Sequence, residues 1–176
     1  NVLAELGQSV LETDQIIFDG KLVKLNSRKI LPRILIYNKP EGEIVSEKDP
    51  KGRPTVFDRL PKIKNSKWIS IGRLDFNTSG LLIFTTYGDF ANRLMHPRYE
   101  IEREYSVRVF GELTSNQISQ LISGINLEDG LAKFETIKFR GGEGSNHWYE
   151  VILKEGRNRE VRRIFQFFSI RGDSMT

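Results

Sequence analysis

The chain has 176 residues, of which 38% are hydrophobic and 28% are charged, and its net charge is +4. This composition suffices for one packed domain with part of a second, and it argues against a disordered chain. Cysteine is absent, which excludes disulfides and cysteine-ligated zinc. No apolar run predicts a membrane span, and no leader pattern predicts a signal peptide. We therefore expect a cytoplasmic protein without a metal.

The first 23 residues differ in pattern from the rest of the chain. Two short apolar runs flank Asp19 and Gly20, and an Asp-Gly pair in this setting is the strongest local signal for a β-hairpin. So small a segment cannot bury a core of its own. Residues 24–32 are rich in Lys and Arg and end at Pro32, which is typical of a basic linker.

From residue 33 onward, apolar runs bounded by Gly, Pro and Asn predict β-strands. The clearest alternation is at residues 104–110, where Tyr105, Val107 and Val109 point to one face of a half-buried strand. Further strands are predicted at residues 34–37, 68–71, 81–84, 131–139 and 148–153.

Three segments between these strands predict helices. Residues 90–95 end before Pro97, which cannot continue a helix. Residues 114–122 begin with Thr114 as a cap, and residues 159–168 place an apolar stripe on one side. Because strands and helices interleave without a regular βαβ repeat, we expect an α+β fold with a central mixed, largely antiparallel sheet and flanking helices.

Two polar loops invite a functional interpretation, but turns explain them better. Residues 141–144 read GGEG between two predicted strands, which favours a hairpin connection over a phosphate-binding loop. Glu128 and Asp129 directly precede Gly130, which favours a turn over a pair of catalytic carboxylates.

The loop at residues 72–79 is the most informative feature of the sequence. It places Arg73 and Asp75 two residues apart between two apolar runs that predict buried strands. A carboxylate held in this way is positioned for chemistry. Loop aspartates also cap turns or pair with surface cations, and spacing alone leaves both interpretations open.

The positive charge is concentrated in three segments. Segregated cations suit a phosphate backbone, because their binding releases counterions. A solvated surface explains any one cluster, but three clusters beside the informative segments favour RNA as a partner. The clusters are Lys24, Arg28, Lys29 and Arg33; Lys62, Lys64 and Lys67; and Arg157, Arg159, Arg162 and Arg163.

Residues 72–88 read GRLDFNTSGLLIFTTYG, and several other stretches agree with them in one known family. These stretches are YNKPEG (37–42), RPTVFDRLP (53–61), ANRLMHP (91–97), EREYSVRVFG (102–111), LEDG (127–130), GGEG (141–144) and EGRNREVRR (155–163). They resemble the pseudouridine synthases that modify ribosomal RNA, in the branch that contains the small-subunit enzyme and its large-subunit relatives. The resemblance covers nearly the whole chain in order, and it is strongest for members that act on the large subunit.

The resemblance implies that the chain isomerises a specific uridine of large-subunit ribosomal RNA to pseudouridine, acting on a target base that is flipped out of its stack. The reaction is redox-neutral, so no metal and no other cofactor are implied. The expected partner is large-subunit ribosomal RNA, without a membrane, and a monomer is the default state. The alternative is a non-catalytic RNA-binding protein of ribosome assembly that retains the same fold.

The resemblance also assigns the catalytic residues. Asp75 is the expected catalytic carboxylate, Arg162 its cationic partner, and Tyr105 the ring that stacks on the target base. Burial alone would raise the pKa of a carboxylate, and the planar fork of an arginine offsets that effect. Arg73 is the competing partner of Asp75, and a core aromatic is the alternative role of Tyr105. The expected RNA-binding residues are Arg73, Lys39, Arg157, Arg159 and Arg163, with the cleft wall as an alternative place for Lys39.

Finally, the resemblance divides the chain into parts. Residues 1–23 are similar to the end of an S4-like RNA-binding domain of the ribosomal-protein type, and we expect them to be its remnant. Residues 24–32 are the basic linker, and residues 33–176 are the catalytic domain. Residues 171–176 depart from the family pattern, so a domain truncated at its C-terminus, with an incomplete pocket, is expected.

Overall fold

The computed structural model describes residues 3, 5, 8–11, 13–23 and 31–168, together with the backbone of residues 172–175. The chain forms two compact units, Asn1–Leu31 and Pro32–Thr176. This division falls inside the predicted linker, most of which (residues 24–30) lies outside the described residues. The assignment of residues 1–23 to an S4-like domain stays a prediction.

The first unit contains the predicted hairpin. Strands β1 (Ile16–Phe18) and β2 (Lys21–Val23) pair antiparallel. Asp19 and Gly20 connect them with φ angles of 49° and 71°, which is the left-handed backbone that a tight two-residue hairpin turn requires. The Asp-Gly signal therefore predicted this turn correctly.

Antiparallel strands form the framework of the second unit. The strands are β3 (Ile34–Lys39), β4 (Ile69–Ile71), β5 (Gly80–Thr85), β6 (Arg103–Phe110), β7 (Ile125–Leu127), β8 (Gly130–Ala132), β9 (Thr136–Glu143), β10 (Asn146–Leu153) and β11 (Gly172–Met175). A three-stranded sheet has the order β3-β5-β4, and a four-stranded sheet has the order β11-β6-β10-β9. Strands β7 and β8 form a separate hairpin around the turn at Glu128 and Asp129. Strands β9 and β10 also form a hairpin, but its turn is shorter than the predicted loop at residues 141–144, because residues 141–143 belong to β9 and pair with β10.

The described residues of the second unit form three α-helices, close to the predicted segments: α1 (Gly88–Met95), α2 (Ser115–Ser123) and α3 (Glu160–Gln166). Thr114 caps α2, since its hydroxyl accepts a hydrogen bond from the backbone N–H of Gln117 at 3.3 Å. None of the helices in the described part of the chain is long and apolar enough to cross a bilayer. The α+β class is confirmed, and its strands divide into separate antiparallel sheets rather than one central sheet.

Two apolar clusters form among the described residues of the second unit. The larger cluster covers one face of the four-stranded sheet, where Val107 and Val109 are fully buried as the alternation in β6 predicts. Helix α3 adds Val161, Ile164 and Phe165 to this cluster, which confirms its apolar stripe. The smaller cluster lies on the three-stranded sheet and is centred on buried residues such as Leu82 and Phe84. The loop before β5 and helix α3 therefore extend from different sheets.

Candidate active site

The loop at residues 72–79 connects β4 to β5 and is fixed by its backbone. The N–H of Thr78 donates to the carbonyl of Asp75 at 3.1 Å, which closes a tight turn after the carboxylate. The N–H of Gly42, in the loop after β3, donates to the carbonyl of Phe76 at 2.9 Å. Thr78 is almost fully buried, at 2% exposure. Asp75 thus lies in a well-supported turn, not in a free surface loop.

Lys39, at the end of β3, contacts this loop through its ammonium group. Its ammonium group donates to the carbonyl of Thr78 at 2.7 Å and to that of Pro40 at 2.9 Å, and the side chain is fully buried. Burial lowers the pKa of Lys39, while the charges of Glu43, Glu41 and Asp75 act in the opposite direction. Because a buried ammonium cannot reach a phosphate, the structure favours the cleft-wall role of Lys39 over the predicted RNA contact.

Asp75 and Arg162 form an ion pair across 87 positions of sequence. The Nε–H of Arg162 donates to Oδ2 of Asp75 at 3.3 Å, and its Nη2 donates to the Thr78 hydroxyl and to the carbonyl of Asn77, each at 3.3 Å. The Arg162 side chain is only 10% exposed, whereas that of Asp75 is 39% exposed. One guanidinium therefore binds both the carboxylate and the turn that carries it, while the carboxylate remains accessible.

A second arginine of the same segment lies beside Asp75. Nε of Arg159 is 3.8 Å from Oδ2 of Asp75, and the Arg159 side chain is 56% exposed. Arg73, the competing partner in the sequence interpretation, is exposed and makes no ion pair with Asp75 among the described residues. The two cations beside Asp75 thus both come from the N-terminal part of α3 and the residue preceding it.

Tyr105 lies on β6, paired with Val151 of β10, and packs against the larger apolar cluster. Burial is the main factor that raises the pKa of the Tyr105 hydroxyl. The Arg103 charge opposes this effect, and the charges of Glu160 and Asp75 add to it. Tyr105 is thus a half-buried, neutral phenol within the electrostatic reach of the Asp75 carboxylate.

Arg157 and Arg163 are held by a carboxylate cluster that sequence reasoning missed. Arg163 donates two hydrogen bonds to Asp129, at 2.8 and 2.7 Å, and Arg157 binds both Asp129 and Glu160. The hydrogen bonds and charge of Arg163, followed by the charge of Arg157, hold the pKa of Asp129 below its usual range. These contacts fasten the start of α3 to the β7–β8 hairpin. The predicted RNA contacts of Arg157 and Arg163 stay predictions, and their guanidinium groups are already engaged within the protein.

We expect removal of the Glu160 carboxylate to destabilise the second unit strongly. Its side chain is 3% exposed and is paired with Arg157, so Glu160→Ala leaves this partly buried cation with the more exposed carboxylates of Asp129 and Glu155. The expected cost is about 3 kcal/mol, or a fall in melting temperature of roughly 6–12 °C. Thermal unfolding followed by circular dichroism measures this shift.

Glu135→Ala is the matched control, because the Lys133–Glu135 pair is much more exposed. We expect that substitution to cost under about 1 kcal/mol. Equal effects of the two substitutions would contradict a structural role for the Arg157–Glu160 pair.

The site contains no obvious place for a metal ion. Across the residues that the structure describes, no group of three or more His, Asp or Glu side chains is arranged to hold one. The carboxylate at the centre of the site is instead bound by arginine. The chemistry that this arrangement supports is that of a positioned, accessible carboxylate.

Known proteins resemble the chain in both sequence and fold. A family model described as RNA pseudouridylate synthase matches residues 33–167. A ribosomal large subunit pseudouridine synthase B from Pseudomonas aeruginosa is 55% identical over 93% of the chain, and one from Yersinia pestis is 57% identical over 89% of it. The matches cover 43% and 50% of those relatives, so the chain spans about half their length.

A solved structure of a pseudouridylate synthase has the same fold, with a TM-score of 0.70, 23% sequence identity, and coverage of 96% of this chain and 70% of that chain. The family model covers most of the second unit, including the loop of Asp75, strand β6 and helix α3. Membership therefore rests on the region that forms the candidate site. The chain belongs to the RNA pseudouridylate synthase family.

Proposed function

We propose that the chain isomerises a uridine of large-subunit ribosomal RNA to pseudouridine, with Asp75 as the catalytic carboxylate. The observation that carries this proposal is the ion pair of Asp75 with Arg162, which leaves the carboxylate accessible. The names of the relatives support ribosomal RNA of the large subunit as the substrate. Large-subunit ribosomal RNA is then the partner, while the cytoplasmic location and the monomeric state stay predictions.

The reaction breaks the bond between ribose C1′ and uracil N1 and forms a bond between C1′ and C5. The proton on C5 leaves and N1 gains one, so the product is an isomer of the substrate and no electrons are exchanged. Asp75 can attack the sugar or the base, or it can accept a proton from the sugar so that a glycal forms. Each route needs the ionised carboxylate beside the reacting nucleotide, and Arg162 donates a hydrogen bond to Oδ2 of that carboxylate.

The target base must leave its stack to reach this carboxylate. Tyr105 is a partly buried aromatic side chain on β6, and stacking of bases on aromatic side chains is the usual way that proteins hold an extruded base. The raised pKa keeps the Tyr105 hydroxyl neutral near pH 7, so the ring and the phenol hydrogen-bonding group are both available to uracil. Arg162, which is mostly buried, holds the carboxylate in place from the side of α3.

Release of tritium from C5 tests the proposal directly. The chain is incubated with a large-subunit ribosomal RNA transcript labelled with tritium at uracil C5, and RNA binding is measured in parallel. We expect stoichiometric release from one or a few uridines. RNA binding by a folded protein without any release would instead favour the non-catalytic assembly protein.

We expect Tyr105→Leu to lower kcat/KM at least about 10-fold, because stacking of a base on an aromatic ring contributes on the order of 1–3 kcal/mol. Tyr105→Phe retains the ring, so it should keep more activity than Tyr105→Leu. The difference between Tyr105→Phe and the unsubstituted protein reports the contribution of the hydroxyl. Tritium release at several RNA concentrations measures both values. Equal losses in the two variants would contradict a stacking role.

A further inference from the structure

The four arginines between residues 157 and 163 divide into different environments. Arg157 and Arg163 bind the carboxylates of Glu160 and Asp129, and Arg162 is mostly buried against the loop of Asp75. Arg159 is 56% exposed, and its contact in the described part of the chain is the 3.8 Å approach to Asp75, which is too long for a hydrogen bond. Its N–H donors therefore face solvent at the edge of the candidate active site.

The backbone of Arg159 gives an independent reason to look for a function. This residue is the N-cap of α3 and has φ 49° and ψ 31°, in the left-handed region, and its side chain makes no capping hydrogen bond. Gly or Asn suits a left-handed backbone better, and Asn, Asp, Ser or Gly suits an N-cap better. An arginine is thus a poor local choice here, and strain of this kind tends to be retained at functional sites.

We propose that Arg159 binds the RNA phosphodiester group next to the target uridine, at the edge of the Asp75 site. This inference rests on the proposed function, because it takes RNA as the ligand of that site. A guanidinium binds a phosphate through two parallel hydrogen bonds, and Arg159 is the exposed member of its cluster. A phosphate near Asp75 would otherwise be repelled by the carboxylate, and a cation placed between them removes that repulsion.

The same contact explains why two arginines lie beside one carboxylate. Arg162 is fixed by the Thr78 hydroxyl and the Asn77 carbonyl as well as by Asp75, so it stays with the carboxylate. Arg159 makes only a long contact with Asp75, which it can lose when RNA binds. The phosphate then binds the exposed guanidinium of Arg159, and Asp75 stays paired with the buried guanidinium of Arg162.

Arg159→Gln and Arg140→Gln form a matched pair for the test. Arg140 is also paired with a carboxylate, that of Glu150, and is 54% exposed, but it lies on β9 outside the site. We expect Arg159→Gln to raise the KM for tritium-labelled large-subunit ribosomal RNA by about five-fold or more, with little change in kcat. The logarithm of the RNA association constant decreases linearly with the logarithm of the salt concentration, and for Arg159→Gln this slope should be less steep by about one. Arg140→Gln should change neither quantity. Arg159→Lys should recover part of the loss, since a point charge still attracts phosphate.

Arg159→Asn separates this role from a structural one. Asn suits both the left-handed backbone and the N-cap, so this variant should keep or raise the melting temperature while it shows the same rise in KM. A lower melting temperature that parallels the loss of activity would assign Arg159 to the fold and overturn the proposal. An unchanged KM and salt slope would overturn it as well.

The salt dependence of RNA binding needs no turnover. If the unsubstituted chain binds RNA but releases no tritium, the proposed function fails, and the slope for Arg159→Gln still decides whether Arg159 contacts phosphate.

Discussion

Asp75→Asn should abolish tritium release from labelled ribosomal RNA, with a loss on the order of 10³-fold or more in kcat. The amide has the same shape as the carboxylate, but it carries no negative charge and is a poor nucleophile and base. Every route that we consider for the isomerisation depends on the ionised group, so none should survive. Release measured over several hours with excess protein sets the limit of detection.

The fold and RNA affinity of Asp75→Asn should change little. Arg162 still donates to the Thr78 hydroxyl and the Asn77 carbonyl, so the turn keeps its support. Glu150→Gln is the control, because it also neutralises an arginine-paired carboxylate but lies on β10 in the four-stranded sheet. We expect full activity from that control. Measurable turnover by a pure preparation of Asp75→Asn would exclude Asp75 as the catalytic carboxylate.

Short sequence patterns correctly predicted the elements that depend on side-chain spacing and on the backbone preferences of single residues. The alternation in β6 marks the residues that are buried, because one face of this strand packs against the core. The apolar stripe of α3 and the Asp-Gly hairpin follow from side-chain spacing and backbone preference in the same way. Each of these signals is contained within about ten residues.

Two strands show where local patterns fail. The segment predicted as one strand at residues 131–139 is divided into β8 and β9, because Phe134 is fully buried and its N–H donates to the carbonyl of Leu121 in α2. Strand β7 was not predicted, since its three residues are too few to show a period. The first case depends on a contact with helix α2, and the second depends on pairing with β8 across the turn at Glu128 and Asp129, so no pattern within either segment reveals it.

The arginine cluster shows the same limit at the level of the site. From the sequence, the arginines at 157, 159 and 163 were equivalent candidates for binding RNA. In the structure, Asp129 engages two of them from 28 and 34 residues away, and Arg159 alone of the three is mainly exposed. The pairing of Asp75 with Arg162 spans 87 residues and was expected only from the family resemblance. Composition can show that charge is present, but the tertiary fold decides which charges are neutralised.

Arg162→Met should lower kcat/KM by roughly 10²-fold, which is the usual effect of removing one well-placed donor from an active site. Methionine fills a similar volume without charge, so Asp75 loses the guanidinium that holds its Oδ2 and the neighbouring turn. Arg162→Lys should recover only part of the activity, because one ammonium cannot reproduce the planar fork. Tritium release measures both variants, and thermal unfolding identifies a temperature at which both are folded.

Arg140→Met is the control for Arg162→Met, since Arg140 also donates to a carboxylate but lies outside the site. Its turnover should match that of the unsubstituted chain. Near-normal turnover by Arg162→Met would mean that another cation positions Asp75, and Arg159 at 3.8 Å is the nearest alternative that the structure describes. The double variant Arg159→Gln, Arg162→Met would then lose the activity that the single variant keeps. If Arg162 itself positions the carboxylate, the loss is already present in the single variant, because a long contact from an exposed side chain cannot replace a hydrogen bond from a buried one.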